Sequence, residues 1–236
     1  MGSLIVLCIY TKAKIDKDKY GLKPVYDGRL LIKVLNLSVW SMLHAFISVA
    51  PWFLFFVAIE HLGKTELAIS NITRSVSAIF FVIANSFAVT TSSLVSNAIG
   101  ARARNELFPI CHKVLKLGYA VGIPFVVVAL LCNRWIVSFY TDNELLIELA
   151  FAPFVVMLLN YTFALPGYVY LNAVGGTGKT KITFLFQVTT TCVYLVYLYW
   201  LSFCIKASLS LYLTAEYLFV ILLALQSIIH LKSKHY

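Results

Sequence analysis

The sequence predicts an all-α, polytopic membrane protein with six transmembrane helices, and three observations carry that expectation. Between Lys33 and Glu60 run 26 residues without an Asp, Glu, Lys or Arg, and five comparable apolar stretches follow. The chain is 61% hydrophobic and 12% charged, with a mean hydropathy of +0.86, whereas a soluble domain needs far more polar surface. Its basic residues, finally, collect on one side of a six-span arrangement. A bilayer core of about 30 Å takes about 20 helical residues at about 1.5 Å rise, because the helix pairs every backbone polar group where water is absent.

The elements follow in chain order. Met1 to Tyr10 is apolar but too short to cross. No basic segment precedes it and no small-residue cleavage site closes it, so residues 1–10 read as the truncated end of a preceding membrane helix rather than a signal peptide. Residues 11–33 form a basic linker. The uncharged windows are then 34–59, 75–101, 117–133, 149–178 and 182–205, and the last, 207–231, is interrupted only by Glu216. The third is the shortest, yet Lys113 and Lys116 can lay their methylene stems along the helix and reach the interface. Residues 232–236 are left as a tail.

Loop charge sets the expected orientation, since Lys- and Arg-rich segments stay on the cytoplasmic side. One side collects the seven basic residues between Lys12 and Lys33, then Arg102, Arg104, Lys113, Lys116, Lys179, Lys181, Lys232 and Lys234, which is 15 of the 19. The other holds Lys64, Arg74, Arg134 and Lys206 beside Glu60, Glu66, Asp142, Glu144 and Glu148. Both ends of the six-span unit, linker and tail, are therefore expected to be cytoplasmic. The net charge of +9 follows from this asymmetry. It lies in short juxtamembrane loops without interleaved aromatics, which favours anionic lipid headgroups over nucleic acid as counterions.

Several chemistries are disfavoured. Gly175-Gly176-Thr177-Gly178-Lys179-Thr180 looks like a phosphate-cradling loop, but Ala173 stands where that pattern needs Gly, and the segment joins two spans instead of a strand and a soluble helix. It reads as a tight turn, with no nucleotide partner. Cys8, Cys111, Cys132, Cys192 and Cys204 are scattered singly, so neither a disulfide framework nor a metal site is indicated. No Ser-His-Asp set, His-Glu-x-x-His run or paired intramembrane Asp marks a catalytic site, and a non-enzymatic protein without cofactors is expected.

Other residues carry a resemblance. The run Glu60-His61-Leu62-Gly63 with Glu66-Leu67-Ala68, then Ser96-Asn97-Ala98-Ile99-Gly100-Ala101, resembles the multidrug and toxic compound extrusion (MATE) family of cation-coupled antiporters. Phe139-Tyr140-Thr141-Asp142 is similar to that family's Phe-Thr-acidic turn, and Gly178-Lys179-Thr180 sits where its members carry a Gly-x-Thr loop. The order and spacing of these motifs over 34–231 make the match specific. The resemblance implies one lobe of a twelve-helix transporter, the C-terminal one, whose partner is an N-terminal six-helix lobe. It further implies alternating access in the cell (inner) membrane, with an H⁺ or Na⁺ gradient driving small organic cations or amphipathic drugs outward. Two alternatives remain: a lipid-linked oligosaccharide flippase of the same superfamily, which would favour Arg and Lys lining its cavity whereas no basic residue lies at membrane depth in the expected spans, and a non-transporting scaffold.

A coupling site needs a carboxylate, and a charge at the bilayer centre costs about 2.5–3.5 kcal/mol on insertion scales, so an acid held there is usually functional. Glu216 is the candidate. It could face a cavity or, if the last helix starts late near Leu213, the outer interface. In the second case the coupling carboxylate would lie in the other lobe. Asn85, Thr90, Thr91, Asn160, Tyr161 and Gln187 are substrate-cavity candidates at membrane depth, with interhelical hydrogen bonding as the alternative role. Pro166 and Gly167, within two turns of Asn160, and Pro51 in the first span are hinge candidates, because proline frees a carbonyl and permits a kink.

Overall fold

The computed structural model describes residues 27–205 and 208–233. The expected helix remnant over 1–10, most of the linker and residues 234–236 lie outside the described residues. Two compact units divide the chain, 1–36 and 37–236. Of the first, the described part is the opening of a helix. Asp27 Oδ1 accepts the N–H groups of Arg29 at 2.9 Å and Leu30 at 3.2 Å, satisfying donors that a helix start leaves open. Residues 28–33, expected in the linker, are therefore helical.

The helices are α1 Gly28–Ile59, α2 Lys64–Gly100, α3 Leu107–Leu131, α4 Asn133–Ser138, α5 Glu144–Leu159, α6 Tyr161–Gly176, α7 Thr180–Trp200 and α8 Leu209–Ser233. Among the described residues, six helical runs are long and apolar enough to cross a membrane, α5 with α6 counting as one. No strand occurs among the described residues. The all-α, six-span fold is thus as the sequence predicts.

The second span departs from its expected start. Charge counting ended it at Arg74, but the helix begins ten residues earlier, directly after Gly63. Gly63 has φ +128° and ψ 172°, a conformation open essentially to glycine alone. It lets the chain turn out of the short 3₁₀ segment Glu60–Leu62 and straight into α2, where Glu66 complements the positive helix end. Arg74, expected on the outer side with the loop charges, is instead a buried member of α2.

Within residues 37–236, α2 and α6 form the most extensive packing pair, α8 packs on α6, and α3 lies against both α2 and α6. Helix α7 covers α8, while α5 touches α2 and α8. Close backbone approach fixes two of these crossings. A Cβ on Gly176 would meet the Ser92 backbone, and one on Gly167 would stand 2.7 Å from the Val220 carbonyl. The glycine run expected as a turn is accordingly split: Gly175 and Gly176 end α6, and Gly178, at φ +81°, makes the turn. Outward-facing side chains such as Phe46, Val82, Leu131 and Val196 are large, apolar and exposed, which suits lipid or a further membrane surface.

The fourth span is interrupted at Asn160, six residues before Pro166. Phe163 N–H bonds the Asn160 carbonyl, three residues back, and the Leu159 carbonyl takes the Thr162 hydroxyl at 2.8 Å. Pro166, lacking an N–H, cannot serve the Thr162 carbonyl. Tyr119 of α3 does so at 2.7 Å, while Tyr217 of α8 donates to the Val156 carbonyl. Helix α3 thereby satisfies the carbonyl that Pro166 leaves open, the condition for an irregular helix inside a membrane.

Candidate functional site

A cavity of about 710 Å³ opens between α1, α2, the α5–α6 break and α8, all within residues 37–236. Its walls are aromatic, with Trp52 and Phe56 from α1, Phe80 and Phe81 from α2, Tyr161 and Tyr168 from α6, and Phe219 from α8. Polar groups enter as a stripe on α2. Asn71, Arg74 and Ser75 follow i, i+3, i+4 spacing and share one helical face, which Ala78 continues as an apolar position.

An ion pair anchors the cavity. Arg74 Nη2 donates to Glu216 Oε1 at 2.5 Å, with side-chain exposures of 5% and 15%. Taken from water, each charge loses several kcal/mol of hydration, so removing either partner strands the other. Two further contacts hold the pair in place. The Arg74 guanidinium lies 4.0 Å from the Phe55 ring centroid and 5.4 Å from that of Phe56, within cation–π range. From α7, the Tyr194 hydroxyl donates to Glu216 Oε1 at 3.3 Å. At about 1.5 Å per residue, Glu216 sits seven residues or about 10 Å into α8, and Arg74 ten residues or about 15 Å into α2. These are similar depths from one end of the bundle.

Glu216, Asn160, Tyr161 and Pro51 of the residues singled out in the sequence come together on this cavity. Asn160 is buried and its Oδ1 has no partner. Tyr161 points its hydroxyl away to the Gly118 carbonyl at 2.8 Å, leaving its ring as wall. The other residues lie elsewhere. Asn85 and Thr90 are exposed, and the hydroxyls of Thr90 and Thr91 return to the carbonyls of Ser86 and Phe87 in their own helix. Gln187 is buried on α7. Pro166 and Gly167 lie within α6, where Tyr119 serves the freed carbonyl and Gly167 abuts α8.

Sequence reasoning missed Arg74 and its stripe, and with it the objection that no basic residue lies at membrane depth is corrected: Arg74 is on the cavity wall. The signal was present. Gly63 followed by an acidic first turn marks a helix start upstream of Arg74, and the polar stripe has helical spacing.

Comparison with known proteins completes the description. Residues 41–201 match the family described as MatE, while no curated protein matches the chain. Among solved structures, a MATE protein in a bent conformation is similar at TM-score 0.74 and 18% identity, over 84% of this chain and 44% of that one. An outward-facing multidrug resistance MATE family transporter of the MOP superfamily matches at TM-score 0.73 and 17% identity, over 88% and 47%. A MOP superfamily transporter from Pyrococcus furiosus, reported with a binding pocket of reverse polarity that suggests a different function, matches at TM-score 0.69 and 18% identity, over 83% and 43%. The chain spans less than half the length of each. With the family matched over more than half of its residues and the same fold in these structures, the chain belongs to the MatE family of membrane transporters.

Proposed function

We propose that this chain is the C-terminal lobe of a cation-coupled multidrug efflux antiporter, with Glu216 as the coupling carboxylate. The observation that carries the reading is the Arg74–Glu216 pair on the wall of an aromatic cavity inside a span. Three cations compete for one carboxylate: Arg74, the coupling ion, and an organic cation. With Glu216 ionised, the pair is neutral and the aromatic walls accept a flat amphipathic drug. Once a proton or Na⁺ occupies Glu216, Arg74 loses its partner, the pair's net charge rises from zero to +1, and a cationic substrate is repelled. Coupling then needs no third group.

In this reading the second lobe faces the cavity from across a pseudo-twofold axis, the segment 11–33 leads to it on the cytoplasmic side, and both ends of the six-span unit are cytoplasmic in the inner membrane. Asn160 and Tyr161 line the substrate path, with the Asn160 break and Pro51 as hinges. Asn85, Thr90, Thr91 and Gln187 serve packing or hydration more than substrate contact.

Arg74 also favours a second reading. A guanidinium on a cavity wall suits an anionic or lipid-linked pyrophosphate substrate, and reverse pocket polarity is what was reported for the Pyrococcus furiosus transporter.

Vesicles containing this chain, alone and with a first-lobe polypeptide, distinguish the readings under an imposed H⁺ or Na⁺ gradient. The antiporter reading expects efflux of a fluorescent organic cation that is lost in Glu216→Gln. Movement of a fluorescent lipid pyrophosphate, lost in Arg74→Gln and not in Glu216→Gln, would replace it with the second reading. No transport from a correctly inserted pair of lobes would refute both.

A further inference from the structure

A row of buried polar side chains on α7 ends at the coupling carboxylate. Thr183, Gln187, Thr190, Thr191 and Tyr194 are all buried, at spacings of three or four that keep them on one helical face. Tyr194 closes the row by donating to Glu216 Oε1. At the opposite end, Thr183 lies one turn inside the start of α7, close to Lys179 and Lys181, at the end of the bundle where α2 stops before Arg102 and Arg104 and where α8 finishes just past Lys232.

Several of these groups lack protein partners. The hydroxyls of Thr190, Thr191 and Ser227 are buried without a hydrogen bond, and Thr190 and Ser227 are fully inaccessible. Ser227 belongs to the same level of the bundle. Helices α7 and α8 run antiparallel, with Thr189 bonded to Gln226 and Phe186 edge-on to His230, so Ser227 stands at the level of Gln187 and Thr190. Orphaned buried hydroxyls at one level of two packed helices are what an internal water can satisfy.

The spacing suits water as well. Successive polar rungs on α7 stand three or four residues, or about 5–6 Å, apart. Two hydrogen bonds of about 2.8 Å meeting at one oxygen span the same distance. One water per rung makes a continuous chain.

We infer that the buried polar face of α7, completed by Ser227, is a hydrated track that carries protons between Glu216 and the basic end of the bundle. This deepens the antiporter reading and rests on it for the role of Glu216. Tyr194 is the terminal relay. On discharge its O–H bond breaks as its proton passes to the water beside Thr190 and Thr191, and a new O–H bond forms as the proton held on Glu216 Oε1 arrives, so the phenol stays neutral before and after. Gln187 and Thr183 position waters without exchanging protons themselves. The pair with Arg74 re-forms when the proton leaves Glu216.

The test uses the lobe in vesicles, paired with its partner lobe. Hydroxyl radicals generated from water by synchrotron X-rays label only side chains with adjacent water, so Tyr194, fully inaccessible from the surface, reports the track directly. Labelling of Tyr194 is expected in the unaltered chain and is expected to vanish in Gln187→Leu/Thr190→Val. Thr190→Val alone is expected to lower the melting temperature, because it deletes a water's partner. Gradient-driven transport in Tyr194→Phe is expected to slow by about 100-fold, the lower range for loss of positioned proton transfer, with substrate KM unchanged. An unlabelled Tyr194, or a Thr190→Val melting temperature that rises as it would on removing a dry orphan, overturns the track. A labelled Tyr194 with an unslowed Tyr194→Phe overturns the relay. Should Glu216→Gln keep full coupling, the antiporter reading fails on its own, and the labelling and melting results still decide whether the track is hydrated.

Discussion

Removing both members of the Arg74–Glu216 pair should cost less than the two single removals summed. At 2.5 Å between Nη2 and Oε1, the charge centres lie about 4 Å apart, and at an effective dielectric constant of 20 their attraction is about 4 kcal/mol. Desolvating two charges costs several kcal/mol each, which offsets that gain, so the pair as a whole is near neutral against an apolar replacement. Glu216→Gln leaves a guanidinium that Phe55 and Phe56 hold in place and that has no carboxylate to face. Breaking one partner of a buried pair costs about 3–5 kcal/mol, and the 15% exposure of Glu216 moves the expected value to the low end, about 3 kcal/mol. Arg74→Met should cost about as much and should also forfeit the cation–π contact, about 2 kcal/mol where desolvated. The double variant should recover at least about 2 kcal/mol of the summed single losses. Thermal or steric-trap unfolding in lipid bicelles reads all four corners of the cycle. Additivity within about 0.5 kcal/mol, the scatter expected of independent sites, would refute the coupling, and with it the argument that Arg74 competes with the transported ion for Glu216.

Three other substitutions test the geometry around the site. Tyr119→Phe should destabilise the lobe by about 1–3 kcal/mol by orphaning the Thr162 carbonyl; Pro166→Ala, which restores the missing N–H donor, should reduce that loss in bicelle unfolding, and no recovery would sink the account of the fourth span. Gly122→Ala should cost about 1–3 kcal/mol because its Cβ would enter the Tyr161 ring, and Tyr161→Leu added to it should relieve the clash in the same unfolding assay. Arg102 is the one non-glycine residue with positive φ among those described, at 61°. Arg102→Gly should therefore raise stability by about 1 kcal/mol, visible as a higher melting temperature.

How much of this was legible depended on what each residue has to do. Apolar run length predicts six spans because a membrane helix has no alternative way to satisfy its backbone, but it left open whether Glu216 faces a cavity or the outer interface. It failed at Arg74 because charge counting treats every Arg as an end to a span, whereas a guanidinium facing a carboxylate on another helix can be held within one. Only the partner, 142 residues away, makes that permissible. The break at Asn160 was hidden for a similar reason. Pro166 advertises a freed carbonyl, but whether the helix bends there depends on whether something else serves that carbonyl, and the Tyr119 hydroxyl comes from α3. Asn160 and Tyr161 were singled out as polar residues at membrane depth, and both line the cavity. Gln187, offered as cavity lining, lies on a buried face of α7 that hydropathy cannot distinguish from one facing the substrate.

The partners of Glu216 explain why a single carboxylate could suffice. Three helices converge on it: α8 carries it, α2 supplies Arg74, and α7 supplies Tyr194. Helix α2 also packs against α6, and α8 against α6, so the helix that ends at the Asn160 break touches both members of the ion-paired set. If neutralising Glu216 frees Arg74, the connection between α2 and α8 is weakened on the cavity side while their common packing on α6 is retained. Any rearrangement is then directed to α1 and the α5–α6 break, which form the rest of the cavity wall. Helix α1 shares little backbone contact with the other helices and meets Arg74 through Phe55 and Phe56. In the proposed mechanism a guanidinium released from Glu216 would act on α1 first, through two aromatic rings just C-terminal to Pro51. The proposed ion site and the candidate hinge would then be linked by direct contact.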